Sequence, residues 1–399
     1  MDELRMVRTM LDRPAPDDAV VAKGRERLRT ETRGRRRTMP ARRTLWATGG
    51  LGLTAATAAA AVAISTTGTA GTAENRSAGP RAGRSTTTTT LDARSILLAA
   101  ASSAEGQADR VGGYWHTVSV GRYYYRAGTA GSAYTIVDQQ RDDMWTPSAP
   151  RQAQVSVSQH LGVQPATAAD RAAWTRAGSP ADISVQAADG KGGRVTLSTR
   201  PGRVMTSRSP LVDGDKVFWL GRNVTMKDLR ALPADPRRLK ASLKRWYQGH
   251  GTESSSETMS SDLWLYTVAR GLIMDMPVTP KVRGAAFRML ADLPSVTAAG
   301  RVQDAQGRTG TAIAITERTK VGGTYQHRLI IDTTAGRALG EELVVVKPGG
   351  STAGFAPGAV WNSTTVVRQG WTDSAPPGGS AAPRGGTSGG PRPGASVNH

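Results

Sequence analysis

Histidine is the side chain that most often carries acid–base chemistry near neutral pH, and this chain has few. The five histidines, at positions 116, 160, 250, 327 and 399, stand singly along the sequence. None belongs to a His-Glu-x-x-His metal motif, and the chain contains no phosphate-binding loop of the Gly-x-x-x-x-Gly-Lys-Ser/Thr type. We therefore predict that the protein is not an enzyme and has no cofactor and no metal site. A Ser, a His and an Asp brought together from distant positions would contradict this prediction.

Aromatic side chains are the remaining candidates for binding chemistry. They cluster in a segment of short runs in which apolar and polar residues alternate, and this pattern is typical of antiparallel strands. A curved sheet lined by such side chains and closed by helices could hold an apolar ligand, whereas the alternative is that they fill an ordinary core or the opposite face of the sheet. The predicted ligand-binding residues are Tyr114, Trp115, Tyr123, Tyr125 and Trp264.

Hydrophobic periodicity predicts the elements that would position these residues. Alternating runs predict strands at 114–120, 122–126, 134–138, 141–145 and 152–159, and later at 296–302, 309–317, 325–332, 337–346 and 360–367. Between these two groups, helical spacing predicts a helix at 167–177, a helix with Leu239, Leu243, Trp246 and Tyr247 on one face, and two strongly apolar helices. The apolar pair carries Leu265, Val268, Ala269, Leu272, Ile273 and Met276 in one helix and Val282, Ala285, Ala286, Met289, Leu290 and Leu293 in the other. The predicted fold class is α+β, with a curved antiparallel sheet, or half-barrel, packed by helices.

One transmembrane helix is predicted before this fold. Leu45 to Ile64 carries no charge, and its length suits a helix that crosses about 30 Å of hydrocarbon. Ten Lys or Arg residues lie between Lys23 and Arg43, against two Glu residues, which favours a cytoplasmic N-terminus and an extracytoplasmic C-terminal domain at the cell membrane. The alternative is a cleaved twin-arginine signal at Arg42 and Arg43 that leaves an exported protein.

Composition then divides the chain into five parts. Residues 1–43 are a cytoplasmic helical and basic segment, 44–65 are the transmembrane helix and 66–90 are a flexible linker rich in Thr, Gly, Ala and Ser. Residues 91–372 are an extracytoplasmic α+β domain, and 373–399 are a disordered tail rich in Gly, Pro and Ser. The absence of cysteine excludes disulfides, so the extracytoplasmic domain depends on burial of apolar side chains.

The net charge of +20 indicates which partners are compatible with the chain. A basic exterior favours anionic lipid headgroups or anionic wall polymers, although 43 of the 52 basic residues are Arg, which is also what a GC-rich coding bias would produce. Residues 1–30 are predicted to contact a cytoplasmic regulatory protein or to be a solvated tail at the lipid surface. The residues predicted to meet an anionic membrane surface are Arg33, Arg35, Arg36, Arg37, Arg42 and Arg43. No nucleic-acid partner is predicted.

The order of these features resembles an uncharacterised family of actinobacterial single-pass membrane proteins found beside extracytoplasmic-function sigma factors. The resembling pieces are residues 1–5, 14–17, Tyr114-Trp115, 169–174, 232–236 and 331–337, together with the basic run and the predicted span. The exterior also resembles the half-barrel of lipoprotein carriers and of periplasmic sensors that restrain anti-sigma factors. One departure is that residues 1–43 contain neither the His nor the Cys that zinc-associated anti-sigma domains use as ligands.

The resemblance and the predicted topology together imply a function. We expect a non-enzymatic, single-pass membrane-anchored sensor or regulator, linked to sigma-factor signalling, whose exterior binds a lipid or another envelope ligand. The alternative is a membrane-anchored lipid or lipoprotein carrier, and an exported enzyme is a more distant third interpretation.

Overall fold

The computed structural model describes residues 92–129, 131–186, 193–219, 222–252, 258–319 and 323–378. The predicted cytoplasmic segment, transmembrane helix and linker lie outside these residues, so those predictions stand as made. Among the described helices, none has both the length and the apolar character needed to cross a membrane. The described residues begin one position after the predicted start of the extracytoplasmic domain and continue to Gly378.

Nine strands form one antiparallel sheet, which confirms the predicted α+β class with a large antiparallel sheet. These strands are β1 (Tyr114–Ala127), β2 (Tyr134–Pro147), β3 (Ala153–Pro165), β6 (Met205–Pro210), β9 (Thr297–Gln303), β10 (Thr309–Thr319), β11 (Gly323–Asp332), β12 (Arg337–Pro348) and β13 (Val360–Thr372). From one edge of the sheet to the other, their order is β6-β3-β2-β1-β13-β12-β11-β10-β9. Two small hairpins stand apart from this sheet, β4 (Asp182–Gln186) with β5 (Arg194–Ser198) and β7 (Lys216–Trp219) with β8 (Arg222–Thr225).

Two predicted pairs of short strands are in fact single long strands. The predicted runs at 114–120 and 122–126 are both part of β1, and those at 134–138 and 141–145 are both part of β2. Gly121 was the expected break in β1, yet it pairs with Gln140 and Thr364 in an uninterrupted register. A glycine flanked by paired neighbours can stay extended, so composition alone did not mark a turn.

The described part of the chain contains six α-helices, and a polar side chain caps the first turn of each. They are α1 (Ala93–Glu105), α2 (Ala168–Arg176), α3 (Met226–Arg230), α4 (Pro236–Lys244), α5 (Ser261–Met274) and α6 (Pro280–Ala291). The caps are Asp92, Thr167, Thr225, Asp235, Ser260 and Thr279, in chain order. A side-chain oxygen at this position accepts a hydrogen bond from a backbone N–H group that the helix leaves free.

A single apolar core joins α1, α4, α5 and α6 to the sheet. The two predicted apolar helices are confirmed as α5 and α6, and their apolar residues are buried against α1 and against strands β10 and β11. From the sheet, Ile313, Ile315, Leu329 and Ile331 enter this core. We call this side of the sheet the helix face and the other side the outer face.

The other half of the sheet has a smaller apolar cluster at one end of its helix face. Here Ala127, Tyr134, Ile136 and Val163 pack against Ile183 and Val185 of β4, with Trp174 of α2 beside them. The helical layer and this cluster leave the middle of β1, β2 and β3 with less cover.

The prediction for the end of α4 was wrong in one respect. Leu239 and Leu243 are buried as expected, but α4 ends at Lys244 and the Trp246 side chain is 50% exposed. Once the helix ends, residues no longer follow the 3.6-residue period that would have turned Trp246 inward.

Candidate functional site

The register of the sheet shows which residues share the helix face. Leu329 on β11, which is part of the apolar core, pairs with Glu341 on β12. Glu341 pairs with Thr364 on β13, and Thr364 pairs with Gly121 on β1. Paired residues in a sheet point to the same side, and side chains alternate along a strand. Tyr123 and Tyr125, two and four residues after Gly121, therefore also lie on the helix face.

The structure does not bring the five predicted ligand-binding residues to one surface. Tyr114 lies on the outer face, where it packs with Trp145 and Val155. Trp115 lies on the helix face but is only 5% exposed, and its indole Nε1 donates a hydrogen bond to the carbonyl of Asp275 at 2.7 Å. Trp264 is buried inside α5, with its ring 5.7 Å from that of Tyr247. Tyr123, at 41% exposure, and the half-buried Tyr125 are left to line open surface.

Polar residues of β2 and β3 surround Tyr123 on the helix face. Asp138 pairs with Tyr123 itself, and Gln140 and Asp142 follow at two-residue spacing. Their neighbours on β3 are Ser158, opposite Asp142, and His160, opposite Gln140. We call this set the polar strip: Tyr123, Asp138, Gln140, Asp142, Ser158 and His160. Apart from Tyr123, all of its members are half-buried.

Hydrogen bonds within the polar strip order its side chains. The His160 imidazole hydrogen-bonds to the Asp138 carboxylate. The Gln140 amide donates to Asp142 Oδ1 at 3.1 Å. These contacts use one oxygen of each carboxylate, and no Lys or Arg among the described residues forms an ion pair with either acid. The negative charge of the polar strip is therefore only partly compensated.

Burial is the largest cause of the pKa shifts in the strip, and neighbouring negative charge adds to each of them. Burial raises the pKa of Asp142, and the neighbouring Asp143 adds to the rise, while the hydrogen bond from Gln140 opposes it. Burial also raises the pKa of the Tyr123 phenol, with further contributions from Asp142, Glu341 and Asp138. The pKa of Tyr125 rises to about 12 for the same kind of reason, with burial as the largest cause and Asp138 next. The neighbouring acids disfavour further negative charge at the strip, whereas burial penalises charge of either sign.

A buried ion-pair network adjoins the polar strip at the end of α5. Arg270 is 8% exposed, and its Nε lies 3.0 Å from Glu341 Oε2 while its Nη1 lies 3.4 Å from Asp275 Oδ2. Burial raises the pKa of Asp275 to about 6, although Arg270 acts to lower it. Two carboxylates thus share one guanidinium. This network adds one more net negative charge near Tyr123.

The side chains of the polar strip offer groups that could bind a ligand. Within the described ranges, no Ser or Thr hydroxyl hydrogen-bonds to His160, and no group of three or more His, Asp or Glu side chains is placed to hold a metal ion. What the strip offers is hydrogen-bond acceptors and negative charge beside two phenol rings. A ring face next to carboxylates is an environment that attracts an ammonium or guanidinium group.

The features together define the class of protein: a mixed α+β protein in which helices cover part of one face of a nine-stranded antiparallel sheet, with an acidic strip on the uncovered part. Comparison with known proteins adds no relative to this description. No family model, no curated protein and no solved structure matches the chain. The resemblance noted from the sequence therefore stays a prediction.

Sequence reasoning missed the acids and the histidine of the polar strip. A signal was present, because Asp138, Gln140 and Asp142 alternate through the middle of a run that is otherwise typical of a strand. The same two-residue period separates Tyr114 from Tyr123 and Tyr125, since even and odd positions of β1 face opposite sides. The burial of Trp115 under α5 depends on tertiary packing, and no local pattern indicates it.

Proposed function

We propose that the chain is a single-pass membrane-anchored sensor or regulator whose extracytoplasmic module binds a cationic, hydrogen-bonding ligand at the polar strip. The N-terminal segment, residues 1–30, would contact a cytoplasmic regulatory protein, in keeping with the predicted link to sigma-factor signalling. The nine-stranded sheet with helices on one face is consistent with the half-barrel that the resemblance implies. The envelope ligand would then be a positively charged peptide or amine.

One observation carries the binding part of this proposal: an acidic, partly buried strip in a chain with a net charge of +20. Burial without a cationic partner raises the pKa of Asp142, so its charged form destabilises the folded protein relative to an exposed carboxylate. Groups that are kept at such a cost to stability are more often found at functional sites than elsewhere. A bound cation would remove the imbalance.

A lipid or lipoprotein carrier is the second candidate, and the apolar layer of α5 and α6 across the sheet favours it. An acyl chain needs apolar surface, however, and the apolar side chains of this layer are already packed against β10 and β11. The uncovered part of the helix face is polar. A carrier function would therefore require α5 and α6 to separate from the sheet, and acyl chains that copurify with the native protein would favour it.

Cation binding is tested by titration of the full chain in detergent with spermidine as a polyvalent amine probe. We expect saturable binding that the double variant Asp138→Asn/Asp142→Asn weakens about tenfold or more, because it removes two negative charges from the strip. The control variant Asp182→Asn/Asp215→Asn removes the same charge elsewhere and should bind like the wild type. Equal binding by all three proteins would show that the strip is not the site.

Topology is tested by reporter fusions at both ends of the chain, with sequencing of the N-terminus of the mature protein. We expect a cytoplasmic N-terminus, an exterior C-terminus and an uncleaved Leu45–Ile64 stretch, because positive charge precedes that stretch. A mature protein that begins near Glu74 would contradict the anchor. It would also exclude any role for residues 1–30 in signalling.

A further inference from the structure

The segment from Arg222 to Trp246 is the most basic surface among the described residues. It contains eight Lys or Arg residues and two Asp residues. The two acids are used locally, since Asp228 closes the capping box at the start of α3 and Asp235 caps α4. Little negative charge is thus left to offset the cations.

Most of these cations lie on one side of helix α4. Leu239 and Leu243 are buried in the core that α4 shares with α6. Exposed on the other side are Arg237, Arg238, Lys244 and Arg245, with the half-buried Lys240 between them. We call these five residues, together with Arg222 and Trp246, the basic surface.

The cations of the basic surface differ from three arginines that pack around the helical layer. Arg94, Arg270 and Arg288 each form an ion pair with a carboxylate. In the described part of the chain, none of the five cations on α4 and its C-terminal cap does so. Their charge is therefore available to an external partner.

Trp246 adds an apolar group to this surface. Its side chain is 50% exposed, and the guanidinium carbon of Arg222 lies 3.7 Å from the centre of its ring. One face of the ring is thus covered by a cation while the rest is open to solvent. An amphipathic ring beside Lys and Arg is the combination that is enriched where proteins meet the headgroup region of a bilayer.

We propose that the basic surface rests on an anionic phospholipid bilayer, with Trp246 at headgroup depth. The proposal rests on the proposed membrane anchor for its geometry. A flexible chain as long as the predicted linker, residues 66–90, spans about 25–30 Å on average, so the domain would stay within reach of the leaflet that anchors it. Each Lys or Arg near an anionic surface then adds to the attraction.

The test uses the absence of native cysteine, which makes a single introduced cysteine a unique labelling site. Full chain carrying Lys244→Cys, labelled with nitrobenzoxadiazole, is reconstituted in phosphatidylcholine vesicles with or without one third phosphatidylglycerol. We expect the probe emission to shift to the blue and to increase severalfold in anionic vesicles only. The shift should disappear at about 1 M salt, where the Debye length is about 3 Å. A probe at Val204→Cys, which is 58% exposed beside the opposite edge strand β6, should not respond.

Charge variants make the test specific. Neutralising Arg237, Arg238 and Lys240 with Gln should abolish the shift, whereas neutralising the exposed Arg171, Arg176 and Arg203 removes equal charge and should preserve it. A shift that is the same in both variants, or in neutral vesicles, would overturn the proposal. A response to soluble heparin but not to vesicles would also overturn it, in favour of a polymer partner. Alkaline extraction of the same vesicles tests the anchor separately, and a chain that is released can still be assayed for salt-sensitive binding to added vesicles.

Discussion

Replacing Arg270 with Met is expected to lower the free energy of unfolding by about 3–5 kcal/mol at neutral pH. The substitution keeps the volume of the side chain roughly constant but leaves Glu341 and Asp275 without the guanidinium that they share. Two uncompensated carboxylates would then lie close together at a partly buried position. Urea denaturation of the purified chain, followed by Trp fluorescence, measures the loss.

The same substitution should change how stability depends on pH. The pKa of Asp275 is about 6 in the folded protein, above its ordinary value of 3.8, so the contribution of this group to stability is fully present below pH 3.8 and is lost as pH rises through 6. Without Arg270, which acts to lower this pKa, the loss with rising pH should be steeper. We therefore expect the deficit of Arg270→Met to be largest near neutral pH and to shrink as pH falls below 6, where Asp275 is protonated. An equal deficit at both extremes would contradict the role given to Arg270.

Arg283 provides the matched control, because it is a buried arginine that pairs with no carboxylate among the described residues. It is 7% exposed, and burial lowers its pKa to about 10. Its Nη1 donates a hydrogen bond to Gln107 Oε1 at 3.4 Å, and its guanidinium carbon lies 5.8 Å from the centre of the Trp115 ring. Arg283→Met should therefore be close to neutral or stabilising, and it should lack the pH dependence of Arg270→Met.

Gly336→Ala is expected to cost about 2–4 kcal/mol, from backbone strain and overpacking together. Gly336 has φ +60°, in the left-handed region, and a Cβ there would lie 2.2 Å from the backbone nitrogen of Ala104 at the end of α1. The added Cβ would clash with main-chain atoms, so no change of side-chain rotamer can relieve the clash. The turn is also tied to α1 by Gln107, whose amide donates to the carbonyl of Ala335 at 2.6 Å. Thermal unfolding of the variant measures the effect.

Gly307→Ala separates the two causes. Gly307 also has a left-handed φ, +77°, but a Cβ at this position meets nothing within 4 Å. Only the conformational cost of about 1–2 kcal/mol should therefore appear. If Gly336→Ala costs no more than Gly307→Ala, the close approach of the turn to α1 is not important for stability.

Local patterns predicted the elements of this fold better than their arrangement. The apolar period of α5 and α6 was sufficient to predict both helices, because a packed helix needs a continuous apolar side. The pairing of β1 with β13 was not predictable in this way, because the register of distant strands depends on contacts that no local window contains. For the same reason, the long continuous strands β1 and β2 were predicted as shorter pieces.

The candidate site was predicted in part. Tyr123 and Tyr125 were selected for their aromatic character, and the structure places them beside open surface, but their role in binding stays a prediction. Asp138, Asp142 and His160 were overlooked because each is unremarkable as a single residue, and their proximity arises only from the register of β1, β2 and β3. Trp264 and Trp115 show the converse, since large aromatic residues satisfy a core as readily as a ligand site.

The central position of β1 and β13 has a consequence for biogenesis. Gly113 and Asp373, which hydrogen-bond beside the ends of these strands, are 260 positions apart. Because synthesis proceeds from the N-terminus, one edge of β1 would lack its partner β13 until nearly all of the described residues had been made. Assembly of the sheet is therefore expected to be post-translational and slow, and the unfinished intermediate would need protection from aggregation while it waits.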